Sequence, residues 1–329
     1  MTGSERDRGH ERAAAPPAPR AVLITGGAGF VAAHLARRFA AAGLRVRLAD
    51  VRDPHPAVAP FLPPDAERVR ADVLDAARLG AAADVPGLEG IVHTAAVVGP
   101  GPALTDPART TAVNVLGTQR VLDLARERGL RLTYLSTATL YGTRPDLLPL
   151  DEDAPPDPVS HYDATKLMGE VLVRSYVRSF GLDATVVRTG FVYGPGSGIG
   201  EYFLPRVLRG EAVVEPAGGD HPCDFTYVAD LADGLFRAHT RRPLEHRLFN
   251  VTGGVLRTRG DLAAAVRAAV PGAAIALGPG VDPRRHLRGP CDLTRARTEL
   301  GYAPAYTLEA GIAAWAGALR GAAGAGVTG

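Results

Sequence analysis

A short apolar run, Ala21-Val22-Leu23-Ile24, leads straight into Thr25-Gly26-Gly27-Ala28-Gly29-Phe30-Val31-Ala32, and no other segment constrains the fold as much. Four consecutive apolar residues read as a strand buried on both faces. The apolar spacing over 32–43, closed by Gly43, reads as a helix ending at a C-terminal glycine. Between the two, Gly26 permits a tight turn and Gly29 lets backbone N–H groups approach a ligand closely. Ala32 is small enough for the helix to pack on the strand. A helix N-terminus that a ligand can approach this closely suits a pyrophosphate, with Phe30 and Val31 as the first helical residues beside it.

The same rhythm repeats downstream. Strand candidates cover 45–49, 69–71, 90–93, 131–135 and 184–188, with long helical stretches over 107–128 and 160–180. Strands alternating with helices predict an α/β fold with a doubly wound parallel sheet of the Rossmann type. After 188 the pattern breaks into Gly- and Pro-rich pieces over 189–223 and 256–320, expected to form a smaller, discontinuous substrate-binding lobe. Residues 224–255 are expected to return to the sheet domain of 21–188. Residues 1–20 read as a disordered leader and 321–329 as a disordered tail.

Asp50 closes the second predicted strand. A carboxylate there accepts hydrogen bonds from an adenosine ribose and repels a 2′-phosphate, so the expected cofactor is NAD rather than NADP, although the guanidinium of Arg52 nearby would suit a 2′-phosphate. Asp72-Val73, after the third strand, is the candidate for the adenine contact, with a plain turn aspartate as the alternative.

Composition narrows the partners. The net charge is +2 and basic residues are spread along the chain, which gives no nucleic-acid footprint. No apolar run is long enough for a membrane span. Cys223 and Cys291 fit no metal-ligand spacing, so no metal is expected and a reducing, cytoplasmic setting is the default. The basic residues are arginines with a single exception, Lys166. In a chain so rich in Ala, Gly, Pro and Arg, a lone lysine hints at a position where arginine will not serve.

That lysine follows Tyr162 by one helical turn in Tyr162-Asp163-Ala164-Thr165-Lys166, so the two share a helix face. A phenol titrates near about 10. A neighbouring ammonium favours the phenolate and makes Tyr162 a candidate general acid or base.

Taken together, these motifs resemble the extended short-chain dehydrogenase/reductase family, its NAD-dependent epimerase/dehydratase group, over about residues 21–320. The pieces run in family order: 25–30, Ile91-Val92-His93-Thr94-Ala95-Ala96, Asn114-Val115-Leu116-Gly117-Thr118, Leu135-Ser136-Thr137-Ala138-Thr139-Leu140-Tyr141-Gly142 and the Tyr162/Lys166 pair. Val192-Tyr193-Gly194-Pro195-Gly196, the 224–230 segment and Glu299-Leu300-Gly301-Tyr302 complete them. The resemblance implies that Thr137 hydrogen-bonds the reacting oxygen and that Lys166 binds the nicotinamide ribose while tuning Tyr162. It implies that Ala95 and Ala96 leave room for the cofactor, that Asn114 is structural, and that His93 is packed or flanks the cofactor.

Departures narrow the reaction. The resemblance places Asp and Glu after the catalytic Thr in 4,6-dehydratases, and a Glu at the second position in decarboxylases. Here those positions are Ala138 and Thr139. The pattern is closest to sugar-nucleotide 4-epimerases, implying an NAD-dependent epimerase of a nucleotide-activated sugar with a transient keto intermediate. A net NAD-dependent dehydrogenase or ketoreductase of a small hydroxylated substrate, and a non-catalytic NAD-sensing regulator, are the alternatives. Cys223 replaces an arginine that meets substrate phosphate in the family, and Phe191 replaces an asparagine. Arg206, Arg209, Arg284, Arg285 and Arg288 are therefore the candidate phosphate anchors, or simply surface charges. Finally, Val113, Leu116, Val121, Leu124, Leu167, Val171, Leu172, Tyr176 and Val177 exceed one core-facing stripe on two helices. The resemblance implies that these helices pair across a two-fold axis in a homodimer.

Overall fold

The computed structural model describes residues 20–197, 203–283 and 285–324. Residues 1–19 and 325–329, within the expected leader and tail, lie outside the described residues, as do Arg284 and residues 198–202.

Strand β1 (Ala21–Thr25) is buried along its whole length, which explains why it carries no alternation. It is followed by α1 (Phe30–Ala41), β2 (Arg45–Asp50), β3 (Glu67–Arg70), α2 (Ala76–Ala82) and β4 (Leu88–His93). The helix expected over 107–128 is split. After α3 (Pro100–Thr105) come α4 (Pro107–Thr111), a wider π-helical stretch Ala112–Gly117, and α5 (Thr118–Glu127). Strand β5 (Arg131–Leu135), α6 (His161–Phe180) and β6 (Ala184–Arg188) complete this half. Helix α6 starts where the sequence supplies a capping box, with Ser160 and Asp163 exchanging side-chain and backbone hydrogen bonds. It stops at Gly181 in the left-handed conformation, φ 66°.

The later elements are shorter: β7 (Val192–Tyr193), α7 (Phe203–Leu208), β8 (Val213–Glu215), β9 (Pro222–Asp224) and β10 (Thr226–Tyr227). Then come α8 (Val228–Thr240), β11 (Leu248–Asn250), β12 (Leu256–Thr258), α9 (Arg259–Ala269), β13 (Ile275–Leu277) and α10 (Leu308–Gly324). Two readings are corrected here. Asp224 lies in β9, which pairs antiparallel with β12, so the chain rejoins the sheet domain with α8 rather than at 224. Residues 321–324, expected in the tail, continue α10.

Seven parallel strands form the main sheet in the order β11-β6-β5-β4-β1-β2-β3. Alternate residues of β1 feed opposite cores. Val22 and Ile24 join Leu35 and Phe39 of α1 and Leu231 and Leu235 of α8, whereas Leu23 joins Leu124, Tyr134, Val173 and Tyr176 under α5 and α6. A third core holds the lobe together around Phe203, Phe225, Leu262, Ile312 and Trp315. The strand order reverses between β1 and β4, and at such a switch point the carboxyl ends of the strands leave a crevice. Among the described residues, no helix is long and apolar enough to cross a membrane.

Candidate active site

The Gly-rich turn sits at that crevice. Gly26 has φ +72°, and a Cβ there would stand 2.7 Å from the backbone of Ala95 in the loop after β4. The two loops therefore touch backbone to backbone, which only glycine allows. Thr94 ties them further, its hydroxyl donating to the Thr25 carbonyl at 2.7 Å. Helix α1 begins at Phe30 with Gly29 as its cap; no side chain caps its first turn and no acid stands in it. Its first N–H groups are thus left for an anion.

Asp50 closes β2, where one carboxylate oxygen accepts the Ala28 N–H at 3.0 Å and the other the Arg52 N–H at 3.1 Å. It braces the glycine turn besides facing a cavity of about 190 Å³ that Gly27, Ala28, Arg52, Asp53 and Arg68 also line. Asp72 accepts the Leu74 N–H at 2.9 Å, so it also shapes a turn, and Val73 is buried against the π-helical stretch at Gly117. Ala95 and Ala96 are half-buried, and the Ala95 backbone lies against Gly26. A turn that a Cβ would fill, an uncapped helix start and a cavity lined by Asp50 fit the pyrophosphate and the adenosine ribose of a dinucleotide.

Tyr162 and Lys166 stand on one face of α6, which lies close enough to β5 that a Cβ at Gly169 would meet the Tyr134 hydroxyl at 2.1 Å. The Lys166 ammonium lies 4.1 Å from the centre of the Tyr134 ring, a cation–π contact. Thr137 follows β5, its hydroxyl oxygen 2.8 Å from that of Thr139, and Thr139 in turn donates to Asp163 beside Tyr162. This chain of contacts brings Thr137 to the N-terminal turn of α6.

The electrostatics differ from the sequence expectation. Burial pushes the Tyr162 phenol well above its ordinary range, and the Asp163 carboxylate pushes it the same way. Burial pushes Lys166 down to about 7, opposed by Glu170. Helical spacing suggested that the ammonium lowers the phenol; here burial is the largest influence on each group, with Lys166 buried and Tyr162 half-buried.

Glu170 and Arg188 were missed. Glu170, one turn beyond Lys166, accepts from Ser136 Oγ at 2.6 Å and from Arg188 at 2.9 and 2.7 Å, a buried bidentate pair that locks α6 to the ends of β5 and β6. Its signal was the continuation of the 162/166 face to 170. Asn114 has the structural role expected. It exchanges hydrogen bonds with the Val97 backbone at 2.8 and 3.0 Å and donates to Thr165 at 3.0 Å, stapling the loop after β4 to α6. His93 is packed, bonded to Thr25 and Thr118, and burial pushes it down to about 3, so it is neutral.

Of the candidate phosphate anchors, Arg206 and Arg209 pair with Glu211, and Arg285 with Asp282; Arg284 lies outside the described residues. Arg288 is different. Its Nε is buried without a hydrogen-bond partner among the described residues, and burial pushes its pKa down, opposed by Asp163, Cys291 and Cys223, the last standing where the family arginine is expected. Phe191, at the other departure, takes the left-handed φ of 43°.

A profile of the NAD dependent epimerase/dehydratase family matches residues 22–252. The chain is 31% identical to a UDP-glucose 4-epimerase of Mycolicibacterium smegmatis over 88% of its own length and 96% of the relative. It is 35% identical to a dTDP-glucose 4,6-dehydratase of the same organism, over 67% of this chain and 68% of that one. The crystal structure of the Thermus thermophilus UDP-glucose 4-epimerase in complex with NAD superposes with a TM-score of 0.82 at 28% identity, covering 92% of this chain and 99% of the other. With the glycine turn, the Asp50 brace and the Tyr162/Lys166 face already in place, these matches establish that the chain belongs to the NAD-dependent epimerase/dehydratase family.

Proposed function

We propose that the protein is a 4-epimerase of a nucleotide-activated sugar that works through a transient keto intermediate. The observation that carries this reading is the loop after β5. Thr137 is brought to the Tyr162 end of α6, while Ala138 and Thr139 put no carboxylate where elimination of water needs an acid/base pair. The likeness to UDP-glucose 4-epimerases over nearly the whole chain supports it.

NAD, when bound, supplies the hydride acceptor and donor. The chain's own residues hold and steer. Phe30 and Val31 would present backbone N–H groups to the pyrophosphate, Gly26 and Gly29 would let it approach the turn that the Gly29 N–H closes on the Gly26 carbonyl, and Asp50 would take the adenosine ribose hydroxyls. Asp72 and Val73 border the adenine, and Ala95 and Ala96 leave space along the sheet. Lys166 holds the nicotinamide ribose, Thr137 hydrogen-bonds the reacting oxygen, and Tyr162 exchanges a proton with it. Arg288 anchors a substrate phosphate in place of the arginine that Cys223 replaces.

Incubation with NAD and a panel of UDP- and dTDP-sugars, resolved by chromatography and NMR, tests the reading. A 4-epimer formed with no net absorbance change at the NADH wavelength supports it, and stoichiometric NADH accumulation overturns it.

The dimer expectation is modified rather than carried over whole. Val121, Leu124 and Tyr176 are buried in the protein's own core, so they are not available to a partner. Leu116 and Val171 are exposed, together with Leu104 and Met168. We propose that these residues of α3, α5's preceding turn and α6 pair with a second copy; light scattering that gives only the 34.3 kDa monomer mass would refute it.

A further inference from the structure

A residue beside the reacting centre is held in a conformation that its side chain disfavours. After the carboxyl end of β6, Thr189-Gly190-Phe191 runs alongside the loop that carries Thr137, with the Ala138 N–H donating to the Thr189 carbonyl at 2.7 Å. Phe191 there has φ 43°, in the left-handed region where a bulky side chain is strained and glycine or asparagine sits more easily. Thr226 of β10 clamps it in place. The Thr226 N–H donates to the Phe191 carbonyl at 3.2 Å, and the Thr226 hydroxyl donates to the Gly190 carbonyl at 2.8 Å. The bend alone calls for a glycine or an asparagine, so what this chain gains from phenylalanine is the ring.

The ring leans on the lobe core, its centre 6.2 Å from that of Phe225, yet Phe191 is only half-buried. Its surroundings on the Thr137 side are apolar. Gly190 has no side chain, and a Cβ there would lie 3.5 Å from the methyl of Ala138. The Thr189 hydroxyl is buried and turned away from solvent. The strip next to Thr137 thus carries a ring and a methyl, with no exposed hydrogen-bonding side chain from 189 to 191.

We propose that Phe191 is a specificity-determining residue that selects a nucleotide-activated deoxyhexose, with a methyl or methylene of the sugar laid against its ring. This rests on the epimerase reading above and names the kind of sugar. A hydroxyl pressed on a phenyl ring gives up its hydrogen bonds to water and finds none in return. A methyl or methylene at the same place buries apolar surface instead. The hydroxyl that reacts is untouched by this choice, since it meets Thr137 and Tyr162. An apolar wall rejects an added hydroxyl only moderately, so the preference is expected to be about ten- to a hundredfold.

The test compares UDP- and dTDP-glucose with their 2-, 3- and 6-deoxy counterparts, using enzyme loaded with NAD. The wild type is expected to favour at least one deoxy sugar over its parent by about ten- to a hundredfold in kcat/KM. Phe191→Asn suits the left-handed backbone and removes the ring, so the ratio should fall towards one. Phe191→Leu keeps an apolar wall and should keep most of the preference. If the ring served packing alone, Phe191→Asn would lower both sugars alike and leave the ratio unchanged. That result overturns the proposal, as does a wild type that takes parent and deoxy sugars equally. Calorimetry on the same pairs reads the preference without turnover. A deoxy preference in binding with no epimer from any sugar would overturn the epimerase reading and leave the role of Phe191 standing.

Discussion

The sheet half and the lobe of this molecule treat buried polar groups differently. Around the sheet they pair within the chain: His93 bridges Thr25 and Thr118, Asn114 joins Val97 to Thr165, and Glu170 is held by Ser136 and Arg188. Thr189 Oγ1 and Arg242 Nη2 are the exceptions. In the lobe, His221 is fully buried with neither ring nitrogen bonded among the described residues. Arg259 Nη1, Arg288 Nε and Ser197 Oγ are in the same condition. An unsatisfied buried polar group costs about 1–3 kcal/mol. The sheet half thus leaves fewer buried polar groups without a partner among the described residues than the lobe does.

The sharpest test of this contrast lies where the two regions meet. Tyr162→Phe is expected to leave folding and NAD binding nearly intact and to lower turnover by at least about a hundredfold, the scale of general acid–base catalysis. Turnover near the wild-type value, measured with a verified substrate, would take Tyr162 out of the chemistry.

Arg288→Ala probes the lobe where its charge faces Asp163 of α6. Loss of a charged hydrogen bond to phosphate corresponds to about a tenfold or greater rise in KM. Thermal stability should change little, because the variant removes an Nε–H that is buried without a hydrogen-bond partner among the described residues but also the charge that faces Asp163. A fall in Tm with unchanged KM would show that the lobe arginine serves folding.

Gly169→Ala probes the sheet half alone. The added methyl meets the Tyr134 hydroxyl at 2.1 Å, an overpacking that costs about 1–3 kcal/mol. Urea unfolding should show the loss; a variant as stable as wild type would mean that α6 is free to move away from β5.

The acid side of the stability profile should report the far end of the sheet. Burial raises the Asp183 carboxyl, but hydrogen bonds from Arg242 and Arg131 outweigh it and hold it down at about 2. An unfolded aspartate titrates near about 3.9, so this contribution is complete above that pH and is lost as the pH falls through about 2. In Asp183→Asn the unfolding midpoint should be lower at neutral pH and should vary less across that window.

The smallest effect concerns cofactor choice. Calorimetry should find NAD bound more tightly than NADP, and Asp50→Ala should narrow the gap. Arg52 and Arg68 line the same cavity, so a clear NADP preference in the wild type would reverse the assignment.

What the sequence determined alone is local. The turn at Gly26 and Gly29, the caps of α6 at Ser160 and Gly181, and the shared face of Tyr162 and Lys166 depend on contacts within a few residues, and composition and spacing encode them directly. The parallel sheet follows from the same periodicity repeated along the chain. Burial and pairing between distant segments were decided only in three dimensions. The fate of Val121, Leu124 and Tyr176 depended on which way a helix with two apolar flanks turns, which periodicity leaves open. The pairing of Glu170 with Arg188, the link from Thr137 through Thr139 to Asp163, and the approach of Arg288 to the N-terminus of α6 join segments far apart in the chain. The charge state of Tyr162 and Lys166 belongs with these, because desolvation is set by everything packed around a group and not by the neighbour one turn away.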